Sequence, residues 1–153
     1  QNWRFHAGTD LGSPAGTPVL ATRSGKVAVA DYLGGYGLTV ILRHDDGDLE
    51  SRYAHLSKLA VQAGEWVEQG EVIGLVGSTG TATGPNLHFE IRQLTSQGWI
   101  AADAKDILDD GIADLLNVIN NPLQALGAGT AGEASGAAAP ADYPFRPAQP
   151  NAS

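Results

Sequence analysis

The sequence predicts an all-β fold: a mainly antiparallel sheet of short strands, followed by one helix and an irregular tail. Three observations carry this expectation. Over the first hundred positions, apolar and β-branched residues come in short runs separated by turn signals. That is the pattern of a sandwich or barrel, not of strands alternating with long helices. Glycine is abundant, at 20 of 153 residues, as tight turns require. Past residue 104 the apolar spacing changes to that of a helix.

Taken in order, "TPVLATRSGKVAVADYL" (17–33) is rich in Val and Ala, with a turn at Ser24–Gly25. "GGYG" (34–37) is a turn and leads into "LTVILRH", a clear strand. "GDLESRYAHL" (47–56) follows the next turn, and "VQAGEWVEQGEVIGLVG" (61–77) spaces four glycines among Val, Ile and Trp. "GSTGTATGP" (77–85) is too small and polar for core and reads as a loop able to touch a substrate backbone. No Gly-Lys-Ser/Thr follows it, so it is no phosphate loop. In "TGPNLHFEIR" (83–92) apolar and polar residues alternate, which puts Asn86 and His88 on one face of a strand.

Three segments result: a β domain over 1–106, an amphipathic helical segment over 107–126, and a Gly/Ala/Pro-rich tail over 127–153. The helix places Ile107, Leu108, Ile112, Leu115, Leu116, Ile119 and Leu123 at helical spacing, with Asp109, Asp110 and Asp114 toward its start. Gly111 weakens it, and Pro122 should end or kink it. The tail has little apolar bulk, a composition that normally means a flexible segment. An ordered tail would need the domain or a protein partner to hold it.

Composition narrows the function. The net charge is −8, and the nine basic residues are scattered, which argues against nucleic acid as a partner. There is no cysteine, hence no disulfide and no thiolate metal site. No apolar run approaches the ~20 residues of a membrane helix. The chain opens almost at once on "WRFHAGTD", so a processed form or a fragment is expected.

Four histidines offer chemistry: His6, His44, His55 and His88. In "FHAGTD", His6 stands four residues before Asp10, a spacing compatible with one strand face. With His88, two imidazoles and a carboxylate can fill three positions of a zinc tetrahedron and leave the fourth to water. Zinc there would acidify the water and polarise a carbonyl. His55 is the candidate to hydrogen-bond the water or a developing oxyanion. Each element alone has a blander reading. A lone His-x-x-x-Asp is more often a surface pair, and a strand histidine is usually a packed one. His44, in "RHDDGD", reads as a solvated turn histidine, and the acidic run beside it lacks the calcium-loop pattern.

In combination the motifs are far more specific. In order and spacing, "FHAGTDLGSPAGTPVLATRSGKV", "GGYGLTVILRH", "RYAHLS", "VQAGEWVEQGEVIGLVGSTGTATGP" and "NLHFEIR" resemble the lysostaphin-like, LytM-type zinc metallopeptidases over residues 3–103. The resemblance implies a mainly antiparallel β fold with a groove over the sheet, one zinc ion, and hydrolysis of peptide bonds in peptidoglycan cross-bridges or stem peptides, outside the cytoplasm. It puts the zinc ligands on His6, Asp10 and His88 and one catalytic histidine on His55. The family's other catalytic histidine falls on position 86, where this chain has Asn86. Asparagine can exchange hydrogen bonds but not a proton near neutral pH. The expectation is an impaired hydrolase, or else a zinc-bearing module that binds or regulates without cutting. Family domains also carry a strand and loop ahead of His-x-x-x-Asp. Only five residues precede His6, so the N-terminal part of the domain is expected to be missing. A third reading, from the likeness of 61–77 to biotinyl and lipoyl carriers, ranks last, because no lysine stands at a suitable hairpin tip.

Overall fold

The alternation in the sequence becomes a sheet with an apolar inner face. The computed structural model describes residues 8–44, 47–102 and 110–122. Nine strands form among them: β1 (Thr9–Gly12), β2 (Pro18–Leu20), β3 (Gly25–Leu33), β4 (Gly37–His44), β5 (Leu49–Leu59), β6 (Trp66–Val67), β7 (Val72–Val76), β8 (Asn86–Thr95) and β9 (Gly98–Ala102). Every pairing is antiparallel, in the order β1-β8-β5-β4-β3-β6, with β7 joined to β2 and β5, and β9 to β8. The expected all-β, antiparallel architecture is what forms. Val40, Leu42, Tyr53, Leu56, Leu87 and Phe89 lie at its centre, each buried. Fully burying one such side chain contributes about 1.5–3 kcal/mol.

β5 organises the sheet. Its first half, Leu49–Ala54, pairs with β8, and its last residues, Leu56–Leu59, pair with β7. At the change of partner, Val40 faces Tyr53 while Leu38 faces Leu56. One residue too many is thus inserted in β5, which is a β-bulge. His55 sits in it at φ 65°, the one non-glycine residue of positive φ among the described residues. Such a backbone is disfavoured for a side chain with a Cβ and persists only where its surroundings enforce it.

The C-terminal periodicity gives α1 (Asp110–Asn120), which ends just ahead of Pro122 as expected. Residues 107–109 and 123–126 of the expected helical segment, and the tail, lie outside the described residues. Ile112, Leu115 and Ile119 enter the same core as the sheet. Gly111, the weak point by propensity, is the docking point. A Cβ there would run into the carbonyl of Thr22, with its carbon only 2.6 Å away. At the far end the Ser13 hydroxyl donates to the Ile119 carbonyl at 3.1 Å, satisfying one of the acceptors a helix leaves open.

His44 departs from its reading as a solvated turn residue. It is 1 % exposed and built into a buried chain. Its Nδ1–H donates to the Ser24 carbonyl at 2.9 Å, and Nε2 lies 2.7 Å from the Ser51 hydroxyl, which in turn meets Tyr53 at 2.7 Å. β4 extends to His44, and β5 resumes at Leu49 directly opposite. The strand pairing therefore carries the ring inside. Among the described residues no helix is long and apolar enough to cross a membrane.

Candidate active site

β8 delivers the chemistry by its two-residue period. Leu87, Phe89 and Ile91 face the core, leaving Asn86, His88, Glu90 and Arg92 on the other face. Register sets His88 between Asp10 of β1 and Ala54 of β5. The bulge after Ala54 then brings His55 alongside, with the two imidazole rings 5.9 Å apart. A groove of about 380 Å³ opens over this point, lined by Asp10, Gly35, Tyr36, His55, Thr81 and His88.

Both nitrogens of His88 are engaged. Nδ1 meets Asp10 Oδ1 at 2.6 Å, and Nε2 meets Glu90 Oε2 at 2.7 Å. Asp10 is mostly exposed, whereas Glu90 is buried. The Glu90 hydrogen bond raises the His88 pKa; burial opposes this, Asp10 adds to it, and the net is a rise above 6.5. For Glu90, burial pushes the carboxyl up, but bonds from His88 and Arg92 outweigh it and leave it below the usual range.

His55 Nδ1–H donates to the Thr79 carbonyl at 2.8 Å. That bond sets the tautomer and leaves Nε2 as the acceptor nitrogen. Thr79 is itself fixed: its hydroxyl donates to the Leu56 carbonyl at 2.7 Å and accepts from Leu38 N–H at 3.0 Å. Thr81 N–H donates to Gly35 O at 3.0 Å, which laces the two groove rims together.

Of the residues singled out in the sequence, Asp10, His55 and His88 thus meet in one groove. Asn86 shares their strand face, but its amide nitrogen donates to Gly84 O at 2.8 Å, and it does not line the groove. Its Oδ1 is buried with no hydrogen-bond partner. His6 lies outside the described residues, and among those described no three ligand-type side chains converge on one point. Asp10 and His88 still fit a divalent metal: a carboxylate and an imidazole nitrogen side by side, with the ring's second nitrogen anchored by another carboxylate.

Sequence reasoning missed Glu90, Arg92, Tyr36 and Thr79. The first two had a signal, since they continue the two-residue period of Asn86 and His88. Tyr36 had none, being only part of a glycine turn.

The model of peptidase family M23 matches residues 4–100. Among curated relatives, the DD-carboxypeptidase/endopeptidase Mpg of Neisseria meningitidis is 50 % identical over 90 residues, 59 % of this chain and 20 % of that protein. The murein hydrolase activator EnvC of Escherichia coli is 40 % identical over 97 residues, 61 % of this chain and 23 % of its own length. The chain therefore spans between a fifth and a quarter of these relatives. Among solved structures, the catalytic domain of the antimicrobial peptidase lysostaphin from Staphylococcus simulans superposes with a TM-score of 0.61 at 38 % identity, covering 67 % of this chain and 78 % of that one. A zinc-containing peptidase from Vibrio cholerae does so at 0.57 and 37 % identity, covering 65 % and 29 %. A family match over more than half the chain, joined by solved structures 37–38 % identical to it over the superposed stretch, places this chain in peptidase family M23.

Proposed function

We propose that this chain is a zinc-dependent peptidoglycan peptidase domain, acting outside the cytoplasm and impaired by Asn86. The observation that carries the reading is the meeting of Asp10, His88 and His55 at one groove from three different strands. Asp10 and His88 would hold the ion, and His6 would complete the ligand set. Bound there, zinc would acidify a water and polarise the scissile carbonyl. His55 presents Nε2, because its Nδ1–H is committed to Thr79. It takes the proton of the attacking water and passes it to the departing amine. In the family's pattern a second imidazole shares that work; Asn86 cannot change protonation state. Loss of general acid–base help lowers rates by about 10²–10⁴-fold.

The similarity to a murein hydrolase activator and the presence of Asn86 favour a second reading, a groove that binds peptidoglycan or regulates without cutting. One experiment separates the two. Release of amino groups from purified peptidoglycan is measured for the chain, Asn86→His and Asn86→Ala, with zinc content determined for the chain and Asp10→Ala. The peptidase reading expects weak turnover, a gain of at least about tenfold in Asn86→His, and zinc lost with Asp10. Turnover in none of the three favours the binding module. Equal zinc in the chain and Asp10→Ala would sink the ligand assignment.

A further inference from the structure

We propose that Glu90 is the positioning residue of the metal-ligating imidazole. Its buried carboxylate grips His88 by Nε2, so that Nδ1 is the nitrogen offered beside Asp10. The inference rests on the zinc reading above and deepens it.

Both carboxylate oxygens of Glu90 are committed, and to different tasks. Oε2 accepts from His88 Nε2 at 2.7 Å and from the Tyr36 hydroxyl at 3.1 Å. Oε1 accepts from Arg92 Nε at 2.9 Å. Glu90 is only 3 % exposed, and a carboxylate this deep is tolerated because its partners satisfy it. A plain ion pair with Arg92 would not need a histidine and a tyrosine converging on the other oxygen. The segment leading to Asp10 is fitted to the same spot. Gly8, at φ 96°, crosses so closely that a Cβ would collide with Glu90 Cγ and stand 2.9 Å from His88 Nε2. The path to one ligand is thus moulded on the group that orients the other. A ligating histidine anchored at its far nitrogen by a carboxylate is fixed in ring orientation and is a better donor, and removing such an anchor typically lowers metal affinity about 10–100-fold.

The test is zinc affinity by chelator competition for the wild type, Glu90→Gln, Glu90→Ala and Tyr36→Phe, with metal-free melting temperatures and the ring ¹⁵N resonances of His88 in the zinc-loaded proteins. The wild type is expected to bind one zinc and show a protonated Nε2. Glu90→Ala should lose about 10–100-fold in affinity, and Glu90→Gln, which keeps shape but not charge, somewhat less. Tyr36→Phe, which removes one hydrogen bond to the carboxylate, should lose about fivefold with its melting temperature nearly unchanged. Zinc affinities and His88 resonances of the Glu90 variants equal to wild type would overturn the proposal and leave the zinc reading standing. Should Glu90→Ala and Glu90→Gln fail to fold, Tyr36→Phe decides, and wild-type affinity in it overturns the proposal. A wild type that binds no zinc overturns both.

Discussion

His88 stands between two carboxylates of opposite character, one buried and one exposed, and its chemistry follows from that. In the metal-free protein its folded pKa lies above 6.5 and that of Glu90 lies below its ordinary value of 4.5. A group whose pKa is raised by folding stabilises fully below its unfolded value, and that stability is lost as pH rises through the folded value. The Glu90 contribution runs the other way: it is present above about 4.5 and lost as pH falls through the lower folded value. Their joint contribution is therefore greatest between the two unfolded values. With chelator present, the melting-temperature gap between wild type and His88→Gln should be wider near pH 6 than near about pH 9. An equal gap at both would show that the His88–Glu90 contact does not form in solution. His55 makes a different point. A side chain at φ 65° is unfavourable by itself. It is held by its bond to Thr79 and by the change of partner in β5.

Among the elements, β5 and α1 each turn an apparent defect into a fit. The extra residue in β5 breaks the ladder and in doing so aims His55 at His88. In α1, glycine is a poor helix former, and replacing it with alanine in an exposed helix interior stabilises by about 0.5–1 kcal/mol. Here packing opposes propensity. A methyl at position 111 would overlap the Thr22 carbonyl and lift the helix, uncovering Ile112, Leu115 and Ile119. Gly111→Ala is expected to destabilise by about 1–3 kcal/mol, a fall of several degrees on thermal melting. A rise in melting temperature would mean that propensity wins and that the close approach to Thr22 is not kept.

At the scale of the whole molecule, one core joins sheet and helix, and the groove is a product of the whole sheet. Its walls come from β1, β5 and β8 and from the two rims that Thr79, Thr81 and Gly35 bind together. The segment beyond residue 127 has a composition unsuited to extending that core: Tyr143 and Phe145 are its only bulky apolar side chains. Deleting residues 128–153 should leave the melting temperature within a few degrees of the full chain. A large fall would show that the segment belongs to the fold.

The antiparallel strands, the glycine turns and the amphipathic helix were legible in the sequence because they rest on local periods and on residues with special backbone freedom. Asp10, His55 and His88 were legible as candidates, and Asn86 as a departure from the motif, since motif order and spacing are one-dimensional properties; that the first three meet in one groove is the structure's addition. Glu90 and Arg92 were within reach of the same alternation, carried two and four residues past His88. What lay beyond local pattern was decided by pairing across the sheet. Tyr36 and Glu90 are 54 residues apart and meet only because of how β4, β5 and β8 are stacked. His44 is buried because its strand partner closes over it, and Gly111 is required because Thr22 happens to pass beneath. Local composition sets what a segment can be; register and bulges, which depend on distant partners, determine which side chains face one another and hence where the chemistry assembles.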